Sequence, residues 1–419
     1  MTPQLVLSQS DGPFVQILAD LTALPAWRPF DTRLVNFVGK LSQLLLSDRR
    51  VREFPEFAAL GHWFRKARLN ELSRQLDDQT IPGMRIGRGL AFHLAPANVD
   101  SVFMYSWLLS LLAGNTNIVR VSQKGGDQLD FIIEILRKIC HQDEFGDVAR
   151  RFVILTYPHD RALTQEISEA CMVRVIWGGD TTVREIRAIP LRPMATEMCF
   201  ADRFSAAAMD AAAILKLDDK GFGDLIHGFY VDTFWFGQQA CSSPRLVAWI
   251  GSEQDIQAAQ ARFWSRLEIE VRHQQSENSP GMVMARLGAL FEFAAEGLGS
   301  LPLGTSLSNF PATLDLSRPE LDRVRQIHCG NGLFVQVKLQ SLQELGPHLR
   351  DKDQTLAVFG FTRSDFEALV ACLPARALDR ITPVGNALTF DPIWDGQDLL
   401  VSLTRIITLP NHPGPDSCR

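Results

Sequence analysis

Between residue 14 and about residue 76 the apolar positions recur every three or four residues, as in Leu34, Phe37, Val38, Leu41, Leu44 and Leu45 behind the capping candidates Asp31 and Thr32. This spacing predicts a helical N-terminal region. The pattern then changes. Residues 89–95 form a short apolar run, 102–112 read as a helix and 117–121 as a strand, with Gly114 and Asn115 as the turn between them. Two more rounds follow: a helix marked by Phe131, Ile132, Ile135, Leu136 and Ile139, a strand over 152–157, a helix over 161–171, a strand over 173–177, and the turn Gly178-Gly179 into another helix. Strands alternating with helices of about a dozen residues predict a parallel sheet covered on both faces, with ligands beyond the carboxyl ends of its strands.

A second α/β region runs from about residue 225 to 383. It holds strand-like runs at 233–236, 246–250 and 333–339, and helices over 253–270 and 280–296 joined by a polar, turn-rich loop. The tail returns to strand-like runs at 400–403 and 405–409. The predicted layout is a cofactor-binding domain with a helical N-terminal region (1–224), a catalytic domain (225–384) and a C-terminal return segment or oligomerisation arm (385–419).

Composition narrows the class. The 419 residues are 46% hydrophobic and 21% charged, which excludes a disordered or fibrous chain. A net charge of −6 gives no global positive field for nucleic acid or anionic lipid. The longest uncharged stretch, 101–119, contains Ser101, Ser106, Ser110, Asn115, Thr116 and Asn117, too many polar groups for a membrane span. Residues 1–20 carry two aspartates and no basic residue, unlike a secretory signal. Seven cysteines, an odd number without CxxC pairs or zinc-type His spacing, read as reduced thiols of a cytoplasmic protein without a metal site.

The usual phosphate fingerprints, GxGxxG and GxxxxGK[ST], are absent. A strand feeding a helix at Gly178-Gly179-Asp180 offers an alternative, because helix N-terminal N–H groups point at an anion; a Gly-Gly turn is also commonly structural. Cys241 lies among small and polar neighbours in Gly237-Gln238-Gln239-Ala240-Cys241-Ser242-Ser243-Pro244-Arg245, surroundings that keep a thiol accessible. Cys140, Cys171 and Cys372 fall in apolar helical stripes and read as core. His93, in an apolar strand, is either an acid beside a reacting group or a satisfied core residue. His227 and His328 raise a Cys-His hydrolase reading with Cys241, without local support.

Four motifs in one order carry a resemblance. Ala95-Pro96-Ala97-Asn98 followed by a helix, Ala113-Gly114-Asn115-Thr116 through Val119-Arg120-Val121-Ser122, Ile176-Trp177-Gly178-Gly179-Asp180, and Gly237-Gln238-Gln239-Ala240-Cys241 resemble the P-W-N, G-N-T…K-P-S, F-T-G-S and G-Q-x-C motifs of the aldehyde dehydrogenase superfamily. Within it, the phrases from Gly89 to Val99, from Gln238 to Pro244, from Arg380 to Gly385 and from Asp391 to Gly396 resemble the LuxC-type fatty acyl-CoA reductases. The resemblance implies an aldehyde dehydrogenase-like α/β fold, a Rossmann-type parallel-sheet cofactor domain plus an α/β catalytic domain.

It also implies a chemistry. The Cys241 thiolate would attack an acyl thioester, with the Asn98 amide and the Cys241 backbone N–H holding the oxyanion, and NADPH would reduce the acyl-cysteine to an aldehyde. Arg120 and Ser122 would sit at the adenosine ribose, and a guanidinium there favours a 2′-phosphate and hence NADP. Gly178, Gly179 and Asp180 would hold the cofactor phosphates. Glu197, in Thr196-Glu197-Met198-Cys199-Phe200, matches the water-activating glutamate of oxidising members, although the two following glycines are replaced. The ribose-binding E-x-F motif has no counterpart in residues 330–335. Long-chain acyl-CoA or an acyl-protein thioester, an acyl-protein synthetase partner and a homo-oligomer belong to the same implication. The rival readings are an aldehyde or semialdehyde dehydrogenase working in the oxidising direction and a non-catalytic scaffold.

Overall fold

The computed structural model describes residues 2–78, 83–95, 100–274, 276, 278–300 and 310–410. The chain divides into two compact units, one of residues 1–201 with 390–419, the other of residues 202–389. The break after residue 201 falls earlier than the sequence pattern places it, and the return to the first unit comes at 390 rather than 385. The cause is a strand that the pattern hides, Phe204–Asp210, which lies in the middle of the second sheet.

In the first unit the strands are β1 (Gln4–Leu7), β2 (Gly83–Gly87), β3 (Leu90–Leu94), β4 (Thr116–Arg120), β5 (Phe152–Thr156), β6 (Val173–Trp177) and β7 (Thr196–Phe200). Among the described residues all of these but β2 form a sheet of order β1-β5-β4-β3-β6-β7, parallel except for the antiparallel edge strand β1. The order reverses between β3 and β6, the switch point outside which ligands bind in doubly wound sheets. The strands read as unbroken apolar runs because both faces are covered, yet period two still sorts them. Leu90, Phe92 and Leu94 pack with the helices Phe14–Ala23 and Arg161–Ala170, while Ala91 packs with the helices Thr32–Ser47, Asp100–Leu112 and Asp127–Cys140. The expected cap is present: Asp31 accepts from the Arg33 N–H at 3.0 Å. The uncharged 101–119 stretch becomes the buried helix Asp100–Leu112 and β4. No helix among the described residues is long and apolar enough to cross a membrane.

The strand Thr404–Thr408 pairs antiparallel with β2, and Leu399, Leu400 and Leu403 enter the first unit's core. Residues 400–403 are helical rather than extended, since Asp398 caps the short helix Leu399–Ser402 by accepting from the Val401 N–H.

The second unit contains β8 (Phe204–Asp210), β9 (Leu246–Ile250), β10 (Gly299–Ser300), β11 (Ala312–Leu316), β12 (Leu333–Leu339), β13 (Asp353–Phe359) and β14 (Arg380–Pro383). Their order is β10-β11-β12-β9-β8-β13-β14, parallel from β11 to β14. Here too alternate residues face opposite layers: Leu246, Ala248 and Ile250 pack on one side, Val247 and Trp249 on the other. The run 233–236, expected as a strand, is the last two residues of the helix Asp219–Phe234 and the turn after it; the helix's buried Phe222, Leu225, Ile226, Phe229, Tyr230 and Thr233 follow helical spacing.

One buried polar hub ties the second sheet to its helices. The Gln336 Oε1 of β12 accepts from the Trp249 and Trp264 indoles, both at 2.7 Å, and from Gln260 at 3.0 Å, while its Nε2 donates to Asp315 at 2.8 Å. Removing the acceptor strands several donors at once. Gln336→Leu is therefore expected to lower unfolding stability by about 2–4 kcal/mol, measured by urea denaturation.

Candidate active site

Cys241 sits on the loop between the helix Asp219–Phe234 and β9, at the amino ends of the parallel strands. Two consecutive left-handed residues shape that loop: Gly237 at φ 54° and Gln238 at φ 63°. Glycine tolerates this conformation, but glutamine is strained in it and must be held. Gln238 is held completely. Its backbone N–H donates to Thr233 O (2.7 Å), its Nε2 donates to Pro244 O (2.8 Å) and Leu333 O (2.9 Å), and its Oε1 accepts from the Gly332 N–H (2.9 Å). The glycine and glutamine of the motif thus bind the Cys241 loop to the start of β12.

Two further contacts reach the cysteine itself, and a third fixes its neighbour Ser243. The Ser205 hydroxyl donates to Cys241 O at 2.7 Å and accepts from the Thr355 N–H at 3.2 Å, linking the loop to β8 and β13. Ser243 Oγ donates to Asp232 O at 2.7 Å. The Gln354 Nε2 of β13 donates to Cys241 Sγ at 3.4 Å. The thiol is half-buried, and the Arg245 guanidinium interacts electrostatically with both Cys241 and Cys329. Burial pushes Arg245 below its usual range, so its charge acts in a poorly solvated place.

The other thiols are set apart by their surroundings. Burial pushes Cys140 and Cys171 up to about 12 and Cys199 to about 11, and raises Cys329 as well, which keeps these groups protonated. The six cysteines among the described residues are free, and Cys372, expected in the core, is exposed at the end of its helix; Cys418 lies outside them.

Neither histidine partner of the Cys-His reading is a base for Cys241. His328 is buried, Nε2–H donates to Leu333 O at 3.0 Å, and Nδ1 accepts from the Gly330 N–H at 3.0 Å. Both ring nitrogens are used, and burial depresses the imidazole to about 3. His227 is exposed and pairs with Glu270 at 3.2 Å.

In the first unit, Arg120 ends β4. Its guanidinium lies 4.9 Å over the Tyr157 ring and one terminal N–H donates to Tyr157 O at 3.2 Å, while Nε is buried with no hydrogen-bond partner among the described residues. Ser122 follows, its Oγ accepting from the Lys124 N–H at 3.2 Å. Across the switch point, Gly178 and Gly179 lead from β6 into the helix Asp180–Arg187, and a Cβ at Gly178 would meet Thr182 Cγ2 at 3.2 Å. An orphaned guanidinium N–H and a tight Gly-Gly entry to a helix at the carboxyl ends of β4 and β6 fit a nucleotide carrying phosphates. Asn98 falls outside the described residues.

Glu197 has a different setting from the one expected. On β7 it faces Arg174 in register on β6; Oε2 accepts from Arg174 Nε at 2.7 Å and from a second Arg174 N–H, and Oε1 accepts from Arg187 at 3.1 Å. Both oxygens are engaged, so no water-activating role is assigned to it. His93 is a satisfied core residue: buried, depressed to about 4 by burial, with Nε2–H on Asn117 Oδ1 at 3.1 Å and Ser106 Oγ 3.4 Å from Nδ1.

Sequence reasoning missed Gln354, Arg245 and Asp232. Gln354 stands 113 residues from the cysteine, and only the sheet joins them. Asp232 is buried in the helix that leads into the loop, and its carboxylate accepts from the Gly385 N–H at 2.6 Å and the Ala387 N–H at 2.9 Å. Burial outweighs those bonds and pushes the carboxyl up to about 7. Since the unfolded carboxyl titrates near 3.9, the folded chain holds the extra proton between about pH 4 and 7, and its stability falls as pH rises through that window. Urea denaturation at several pH values should show the stability difference between wild type and Asp232→Asn shrinking from pH 4 to 7 and level above it.

A family model described as acyl-CoA reductase (LuxC) matches residues 34–276, more than half the chain, including Asn98, Arg120, Gly178 and Cys241. No curated protein sequence matches. Among solved structures, the chain is similar to an NAD-dependent aldehyde dehydrogenase from Sinorhizobium meliloti (12% identity, TM-score 0.67, covering 99% of this chain and 93% of that one). It is also similar to aldehyde dehydrogenase 21 from Physcomitrella patens in complex with succinate (12%, 0.67, 94% and 89%) and to succinic semialdehyde dehydrogenase from Streptococcus pyogenes in complex with NADP+ (13%, 0.64, 96% of each). The two sheets are thus those of the aldehyde dehydrogenase fold.

Proposed function

We propose that this chain, which belongs to the acyl-CoA reductase (LuxC) family and is an oxidoreductase acting on aldehyde or acyl groups, reduces a long-chain acyl thioester to the fatty aldehyde with NADPH. The observation that carries the reading is the placement of Cys241: a half-buried thiol on a loop locked by Gln238, with a half-buried cation, Arg245, beside it. A thiolate suits this substrate because it is a strong nucleophile and exchanges readily with a thiol leaving group. The Asn98 amide and the Cys241 N–H are the proposed oxyanion donors, and one such donor is typically worth ~2.7–4 kcal/mol of barrier. Bound reduced nicotinamide supplies hydride. Arg120 and Ser122 would hold its adenosine end, Arg120 through the buried Nε that has no partner among the described residues, and Gly178, Gly179 and Asp180 would line its phosphates.

The oxidising alternative needs a base for water, and its candidate, Glu197, has both oxygens on arginines. Delivery of the acyl group by an acyl-protein synthetase, assembly into a homo-oligomer and action in the cytoplasm belong to the same proposal.

The test mixes the full chain with NADPH and acyl-CoAs of graded length, follows nicotinamide absorbance and aldehyde, and looks for an acyl adduct on Cys241 by mass spectrometry. Cys241→Ala is expected to abolish both adduct and aldehyde; aldehyde formation that survives it overturns the covalent route. If NADP is reduced with free aldehydes while no thioester turns over, the oxidising reading replaces this one. Arg120→Ala is expected to raise KM for NADPH about tenfold while leaving KM for NADH nearly unchanged, the loss of a charge-assisted contact to the 2′-phosphate. Equal effects on both would remove the case for NADP.

A further inference from the structure

Gln354 carries an inference that rests on the reading of Cys241 as the nucleophile and goes beyond it. It lies at the start of β13, where the ladder to β8 shifts register between Asp353 and Leu356. An extra residue at such a point turns a side chain out of the regular alternation. Gln354 and Thr355 fall within this irregularity, and both reach the nucleophile loop, Thr355 through the Ser205 hydroxyl and Gln354 through its own amide. Gln354 is buried, its carbonyl accepts from the Asp379 N–H at 3.0 Å, and the Thr355 hydroxyl donates to its Oε1 at 3.4 Å. With Oε1 turned to a donor, the Nε2 is the atom presented to sulfur.

The neighbouring strand end is clamped as well. Asp353 accepts from Arg325 at 2.5 and 3.1 Å and from the Arg350 N–H at 2.6 Å. A side chain on so fixed a segment is preorganised, and a donor set in advance where negative charge rests is more effective than one that must move there.

We propose that Gln354 is a catalytic residue of this site, its Nε2–H donating to the Cys241 sulfur so as to favour the thiolate at the two moments when the sulfur carries charge. In the first, a sulfur lone pair forms the bond to the acyl carbon, and the bond from that carbon to the departing thiol breaks, its electron pair leaving as a thiolate that takes a proton from solvent. In the second, which follows the hydride that a bound reduced nicotinamide would supply to the acyl carbon, the alkoxide on that carbon would reform C=O. The C–Sγ bond then breaks, the aldehyde leaves, and the electron pair returns to the sulfur. Both events leave or use charge on the same atom, so a single donor serves both.

Other groups set the electrostatics there too. Arg245 interacts with Cys241, Cys329 and Asp202, and it helps depress His328. Arg245 supplies a charge and Gln354 a directed N–H, and the two are separable by substitution.

The experiment measures the rate of Cys241 alkylation by iodoacetamide against pH, by mass spectrometry of the peptide, in the full chain and in Gln354→Leu and Gln354→Glu. Loss of a hydrogen bond to charged sulfur is expected to raise the midpoint by about one pH unit and to lower turnover about tenfold. Gln354→Glu keeps the shape of the side chain but replaces the donor with a like charge, and it is expected to raise the midpoint further than Gln354→Leu. Where the leucine variant fails to fold, the glutamate variant decides. Midpoints that match wild type in folded variants overturn the proposal, as does a Gln354→Glu profile indistinguishable from wild type. Alkylation needs neither acyl-CoA nor NADPH, so a wild-type chain that alkylates as expected but reduces no thioester overturns the function and leaves the contact standing.

Discussion

The side-chain amide of Gln238 makes three hydrogen bonds to backbone atoms, and the position of Cys241 depends on them. A glutamine at positive φ is a residue in a sparsely populated conformation, and such a conformation persists only when its surroundings over-determine it. Here they do. Pro244 O, Leu333 O and the Gly332 N–H lie on both sides of the loop, so the same amide that offsets the strain also connects the lead-in to β9 with β12. Ser205 adds β8 and β13 to that connection. Cys241 is carried on a loop, but the loop is sewn to several parallel strands, which gives it the rigidity of a sheet.

The two sheets use their ends differently. In the first, the candidate nucleotide residues Arg120, Ser122, Gly178 and Gly179 occupy carboxyl ends around the switch point, as doubly wound topology leads one to expect. In the second, the cysteine and the residues that hold it gather at amino ends, where each strand is entered by a loop. A cysteine loop at the entry to β9 can be held together by the Ser205 hydroxyl of β8, the Leu333 carbonyl of β12 and the Gln354 amide of β13.

Much of this was legible in the chain and some was not, for reasons specific to particular residues. β3, β4, β5 and β6 announce themselves because each is a short apolar run bounded by turn residues. β8 does not, since Ala206, Ala207 and Ala208 have little strand preference; they are small because helices press on both faces of a central strand. The run 233–236 looks extended over four residues and is seen as helix only when the sixteen-residue period from Asp219 is followed. Cys241 was found because its motif is local. Gln354 had no local signal, since its role comes from a register shift between two strands. Glu197 was matched by sequence to a catalytic base, yet Arg174 opposite it on β6 gives the carboxylate a structural occupation.

The first unit is assembled from the two extremes of the chain. Asn115 donates to Leu403 O at 3.0 Å, Tyr105 reaches Asp391 O, and the strand Thr404–Thr408 completes β2. These bonds need residues 391, 403 and 404–408 in turn to have emerged from the ribosome, whereas every strand of the second unit lies within one continuous stretch, 202–389. Vectorial synthesis therefore gives the unit that carries Cys241 the chance to close while the first unit still waits for its last pieces. A chain truncated by a dozen residues before 408 would keep the sheet around Cys241 and lose the strand that pairs with β2, so a shortened product would retain the Cys241 loop without a finished first unit.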